Sequence, residues 1–337
     1  MTHYSQTVRA TVRAGFAAAA LIAAGLLTAS PASAQSLSYT SGQNVSPAFE
    51  GWQVRDGVKF FVFGYMNRNW EEELDVPVGP NNGFSGATPD VGQPTHFLPR
   101  RNRFVFEVPV PTGFTEKDEL VWTLTTAGKT EKAYASLRLD YEIDDVVRAS
   151  ETGALGAGSS SPEVRGNKAP KVTVQGTRTL TAKVGVPLRI TTLVTDDGVP
   201  KARGAGLAGA AVANPGATQR ATDALPATNP AAPRRNLALL PPTRITVGKN
   251  VGLHLSWYVY RGAGAVTFSP SQVKPWEDTR AGANSPWAPI WVADPMPADG
   301  KIDVAVTFAA PGNYQLRGVA DDGALTGWDD VVVSVTR

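Results

Sequence analysis

Leu188-Arg-Ile-Thr-Thr-Leu-Val-Thr-Asp-Asp-Gly198 and Tyr314-Gln-Leu-Arg-Gly-Val-Ala-Asp-Asp-Gly323 end as near-copies of each other. Each is an alternating apolar run closed by Asp-Asp-Gly. Alternation with period two marks a half-buried strand, and Asp-Asp-Gly supplies turn chemistry. The two phrases therefore read as corresponding strands of one β-sandwich. Working outward from them, Gly and Pro recur every several residues and punctuate short runs rich in Val, Thr, Phe and Tyr, while long 3.6-period patterns are missing. The chain reads as all-β, with two β-sandwich domains.

The N-terminus carries a different signal. Arg9 and Arg13 precede an apolar stretch from Ala14 to Ala29, and Pro31-Ala-Ser-Ala34 follows as a small-residue cleavage site. This is the pattern of a secretory signal peptide over residues 1–34, with Gln35 as the expected mature start. The apolar stretch is shorter than the roughly 20 residues that span a bilayer. The expected mature chain is therefore exported, periplasmic or extracellular, with no transmembrane segment after cleavage. The full chain holds 32 Lys+Arg against 30 Asp+Glu, and two of the Arg lie in the signal. A balanced mature chain has no global electrostatic reason to seek nucleic acid. There is no Cys, which removes disulfides, thiolate metal sites and thiol nucleophiles.

The first domain is expected over residues 46–148. Its strands are read at Val58–Tyr65, Glu73–Val78, Arg103–Val110, Leu120–Thr125 and Lys132–Leu139, with a turn at Ala127-Gly128 before the last. Residues 149–167, with Gly153-Ala-Leu-Gly-Ala-Gly-Ser-Ser-Ser161 at their centre, cannot bury enough apolar surface to order themselves and read as a flexible linker. The second domain spans residues 168–337. Long insertions at 199–247 and 269–299 interrupt it, with strands continuing on both sides of each.

Within this second segment stand Asn167-Lys-Ala-Pro-Lys-Val172, Val184-Gly-Val-Pro-Leu188, the Asp-Asp-Gly strand ending, a strand around Trp257, Pro311-Gly-Asn-Tyr314 and a final Val-rich strand. At these residues the segment resembles bacterial Ig-like domains of the polycystic-kidney-disease and cadherin-like type. The resemblance implies an Ig-like sandwich and is nearly silent on function; the two insertions depart from a minimal domain of this kind. The N-terminal half, with Gly64-Tyr-Met-Asn-Arg-Asn-Trp70 and Pro77-Val-Gly-Pro-Asn-Asn82, resembles exported bacterial proteins that carry no assigned activity. In Ig topology the two Asp-Asp-Gly strands run parallel in space. Asp196, Asp197, Asp321 and Asp322 should then share one pole with both insertions, the end where binding loops usually sit.

Four candidate sites follow. No cofactor is expected, although the acidic pairs offer carboxylates for Ca²⁺; their first role is to end strands in turns. The segment Trp276–Trp291 carries Trp276, Trp287 and Trp291, with Arg280 beside them. Three indoles in a Pro-rich loop can form a stacking platform for a glycan or an envelope protein, or can pin the loop as a satellite core. Residues 201–247 hold scattered Lys and Arg against the single acid Asp223, the pattern of a solvated coil or of an anionic contact. In the first domain, Glu71, Glu72 and Glu73 with His96 are the residues able to support carboxylate acid/base chemistry. Consecutive glutamates on an extended segment alternate faces, and Arg68, Arg100 and Arg101 are at hand to balance them.

No Gly-x-Ser-x-Gly elbow, phosphate loop or dinucleotide fingerprint occurs, and no catalytic residue is assigned. Outside the signal only His96 and His254 remain. The expectation is an exported, non-enzymatic binding or interaction protein. The alternatives are a carbohydrate-active enzyme with its site in the first domain, and a structural spacer.

Overall fold

The computed structural model describes residues 39–151, 165–200, 252–276 and 295–337. The expected signal peptide, the centre of the expected linker and most of both insertions lie outside these residues, as do Arg280, Trp287 and Trp291.

The fold is all-β and builds two sandwiches. In the first, β1 (Val45–Arg55), β2 (Val58–Asn67) and β6 (Arg100–Pro109) form one antiparallel sheet. It faces a sheet of β4 (Asn82–Ser85), β7 (Leu120–Thr126) and β8 (Lys129–Ala135), and a short ribbon pairs β3 (Leu74–Asp75) with β5 (His96–Phe97). The alternation read from sequence is what fills the core: Phe61, Phe63, Phe106, Leu120, Trp122 and Leu124 are all buried. Phe63 stacks on Phe106 at 5.3 Å between ring centroids, and Trp122 meets Phe106 edge-on at 5.1 Å, both favoured aromatic geometries. Ala127 and Gly128 both have positive φ, so the β7–β8 connection is a two-residue turn matched to strand twist.

The second is an Ig-like sandwich. One sheet runs β10 (Thr179–Lys183), β16 (Thr326–Thr336), β15 (Gly312–Asp321), β12 (His254–Arg261). The other runs β13 (Val266–Ser269), β14 (Lys301–Phe308), β11 (Leu188–Thr195), β9 (Lys171–Val174). The opening strand divides between sheets, with β9 antiparallel to β11 and β10 parallel to β16. Ile190, Trp257, Val304, Val306, Leu316 and Val333 meet in the core.

The structure departs from the sequence expectations in places where the signal is weak. The Glu73–Val78 run contributes only the two residues of β3 to a strand, because Pro77 can donate no ladder hydrogen bond. β1 was not expected: its Ser-Pro-Ala-Phe-Glu-Gly stretch lacks clean alternation, and a bulge at Glu50 shifts its register on β2 between Phe49 and Gly51. Ala149, at the start of the expected linker, belongs to helix α1 (Asp145–Glu151) and is buried against Ala324 and Leu325.

Tyr39–Arg337 forms one compact unit, and the outer face of β12 and β15 is where the sandwiches join. Tyr260 is buried in the core of the first sandwich and donates its hydroxyl to the Gly92 carbonyl at 2.5 Å. Arg261 donates to the Gln93 carbonyl at 2.8 Å and forks onto Asp90 at 2.7 and 3.0 Å. Arg317, buried on β15, grips Asp330 with two bonds of 2.8 Å, donates to the Val105 carbonyl and lies 3.8 Å from the Tyr260 ring centroid.

Candidate functional site

The junction leaves a groove of about 490 Å³, within the size range of ligand sites, which favour domain boundaries. One wall comes from the β3–β5 ribbon, through Glu73, His96 and Leu98. The other comes from Trp257 on β12, from Val266, Thr267 and Phe268 on β13, and from the segment Ser271–Trp276. Thr267 is exposed, while Phe268 and Trp276 are half-buried. The Lys274 ammonium stands 5.7 Å from the Trp276 ring centroid.

On the ribbon, His96 lies directly opposite Asp75 in the strand pair. Its Nδ1 is 2.7 Å from Asp75 Oδ1 and its Nε2 is 2.8 Å from Glu73 Oε2. Burial works against the imidazolium, but the hydrogen bonds to Asp75 and Glu73 outweigh it and raise the pKa to about 9. At neutral pH His96 is thus a cation donating from both nitrogens. It cannot accept a proton there, and it holds Glu73 as a partly neutralised hydrogen-bond acceptor at the groove wall. Glu71 and Glu72 do not join it: Glu72 accepts from the Gly42 N–H at 2.6 Å instead.

The two Asp-Asp-Gly phrases make the same turn. Gly198 N–H donates to Asp196 at 2.9 Å and Val199 N–H to Asp197 at 3.0 Å. Gly323 N–H donates to Asp321 at 2.7 Å, and Ala324 and Leu325 N–H donate to Asp322 at 2.6 and 2.7 Å. Asn167 and Lys168 tie the phrases to one pole. The Asn167 amide donates to Asp322 at 3.0 Å, and the Lys168 N–H donates to Asp197 at 3.1 Å. Burial pushes the Asp322 carboxyl up to about 6 and also raises Asp196. Among the described residues, no group of three or more His, Asp or Glu is placed to hold a metal ion. The described contacts of these carboxylates are those of turn closure and strand anchoring.

Sequence reasoning missed a second structural focus. At Gly64, β6 carries surplus residues against β2: Phe63 pairs with Phe106 and Tyr65 with Asn102. The resulting bulge sets Phe104 at φ 52° and turns the Val105 carbonyl toward Arg317. Beside it, Glu50 is held by Arg101 at 2.8 Å, and burial raises its carboxyl despite that partner. A cavity of about 90 Å³ lies between this bulge and β12, lined among others by Arg103, Ser256 and Asp321. Adjacent bulges on two strands leave no periodic trace in a sequence, which is why alternation could not find them.

No family model matches the chain, and no curated protein matches it. Among solved structures it is similar to a chimeric titin Z1Z2, at 8% identity over 88% of this chain and 99% of that one, with a TM-score of 0.21. It is similar to the S-layer protein SbsC at 9% identity, over 87% of this chain and 28% of that one, with a TM-score of 0.21. The fibronectin(III)-like modules of Clostridium thermocellum CbhA are similar at 9% identity, over 87% of this chain and 94% of theirs, with a TM-score of 0.20. Overlaps this low carry no argument, so the fold assignment rests on the strands and their pairing.

Proposed function

We propose that this chain is an exported binding protein of the cell envelope or exterior, and that its ligand site is the groove at the junction of the two sandwiches. The observation that carries the reading is the convergence there of half-buried Phe268 and Trp276 with the Glu73–His96 pair. Aromatic surface with a few fixed polar groups is the composition of a recognition site. A non-enzymatic role is supported by His96, whose proton is clamped between two carboxylates with a pKa of about 9, far from that of a general base working at neutral pH. The junction itself supports a rigid platform, since Tyr260 of the second sandwich is buried in the first. We assign the second sandwich to the polycystic-kidney-disease and cadherin-like type. The Asn167–Asp322 bond supports this, because it gives the opening Asn of that pattern a role in closing the Asp-Asp-Gly turn.

Hydrogen exchange on the whole mature chain, with and without ligands from a glycan and envelope-protein screen, tests the site. Protection is expected at residues 96–98, 257–259 and 264–268. Protection confined to the pole around Asp197 and Asp322 would move the site away from the groove.

A further inference from the structure

β13 is the outermost strand of its sheet and pairs only with β14. The Ala309 N–H donates to the Ala265 carbonyl at 3.0 Å, which fixes the phase of the ladder: the backbone groups of Thr267 and Ser269 point at β14. In an antiparallel pair the intervening residues point the other way. The N–H and C=O groups of Val266 and Phe268 therefore face away from β14, and none of them has a hydrogen-bond partner among the described residues. Residues 264–268 all line the groove. Side chains along a strand alternate between faces, so what these consecutive residues present together is the strand's edge.

The neighbouring edges are closed. On β9 the outward Val174 N–H donates to Asp329 at 3.0 Å. On β12 the Trp257 N–H donates to Gln272 Oε1 at 2.9 Å, and the Tyr260 carbonyl accepts from the Thr95 N–H of the first sandwich at 3.2 Å. The junction thus already joins the sandwiches through a strand edge, and the groove adjoins that contact along residues 257–259. β13 carries none of the devices that blunt an open edge: Val266-Thr-Phe-Ser269 has no charge, no Pro and no bulge. Outward donors and acceptors repeating every second residue are matched by the backbone of another extended strand. Its side chains would fall alternately beside half-buried Val266 and Phe268 and beside exposed Thr267 and Ser269. That placement calls for apolar residues at every second position, with polar ones between.

We infer that the groove takes an extended segment of a partner protein, alternately apolar and polar, which adds to β13 as a further strand through the N–H and C=O groups of Val266 and Phe268. This rests on the groove being the binding site.

The test uses the whole chain and the capped peptide acetyl-Lys-Val-Thr-Val-Thr-Val-Lys-amide, with versions carrying Leu or Phe at the Val positions. Each is also made in two N-methylated isomers, one methylated at the apolar residues and one at the Thr residues, so that each isomer loses the N–H groups of one edge. The expected result is saturable binding of at least one peptide, retained by one isomer and lost by the other. Bound peptide should slow hydrogen exchange about tenfold or more at the Val266 and Phe268 N–H groups, and leave Thr267 and Ser269, already bonded to β14, unchanged. Val266→Pro removes one outward N–H and should lower affinity about tenfold relative to Val266→Ala, which keeps it. If Val266→Pro does not fold, the exchange pattern and the methylated pair on the unsubstituted chain decide. No peptide binding, equal binding by both isomers, or binding that leaves both amides exchanging as before overturns the inference. Protection of the same amides without peptide, rising with protein concentration, overturns it in favour of a second copy of this chain. If a ligand from the screen loses affinity in Thr267→Arg while no peptide protects these amides, strand addition fails and the groove stands as the site.

Discussion

His96 and Asp75 stand opposite each other on the β3–β5 ribbon and are joined at 2.7 Å between Nδ1 and Oδ1, with Glu73 closing on the other ring nitrogen. The folded protein therefore holds a proton on His96 that the unfolded chain releases near pH 6.5. The stabilisation is fully present below pH 6.5 and is lost as pH rises through about 9. Its size is at most about 3 kcal/mol, from the free energy of a shift of that extent. Thermal melts of the unsubstituted chain should decline between pH 6.5 and 9.5. In His96→Gln the same interval should be flat, and an unchanged decline there would contradict the assignment.

Asp322 predicts the behaviour of the acidic pole. Its pKa is raised to about 6 by burial, so its charge is a cost of folding. The protonated form stabilises the fold fully below the unfolded pKa near 3.8, and that benefit is lost as pH rises through about 6. Asp322→Asn keeps an oxygen for the Ala324 and Leu325 N–H groups, and its new amide, facing the Asn167 amide nitrogen, can donate to Asn167 Oδ1 once the Asn167 amide turns over. At pH 7 this substitution should leave stability unchanged or raise it by about 1–2 kcal/mol. Urea unfolding would contradict the account by showing a loss.

Arg317 should behave in the opposite way. It is buried with two bonds to Asp330 and one to the Val105 carbonyl. Arg317→Met should cost about 3–5 kcal/mol, because it strands a partly buried carboxylate at the junction. The double variant Arg317→Met/Asp330→Leu should recover most of that loss. Equal losses in the single and double variants would mean that the contact with the first sandwich matters more than the ion pair.

How much of this was legible in the sequence follows from which patterns have a period. Strands such as β11 and β14, half-buried and alternating, could be read directly, and the Ala127-Gly128 turn followed from turn chemistry. The repeated Asp-Asp-Gly gave the common pole, where Asn167 and Lys168 reach Asp322 and Asp197. His96 and Glu73 were picked out as chemically capable, but not their meeting with Asp75. That contact depends on the pairing of two very short strands 21 residues apart, for which no local signal exists. Glu50, Phe104 and Arg317 were missed for a related reason. Bulges break alternation, and an Arg in a strand reads as solvent-facing until a second sandwich covers it.

The central claim is that the junction groove is the binding site, and Thr267 offers the most direct access to it. This residue is exposed on β13 and lines the groove, so Thr267→Arg fills the space without disturbing a core. The decisive measurement is calorimetric affinity for the strongest ligand of the chain, taken side by side on the unsubstituted protein and Thr267→Arg, with melts as a control on folding. The account predicts matching melts and at least a tenfold loss of affinity in the variant. Matching melts with equal affinity would contradict it.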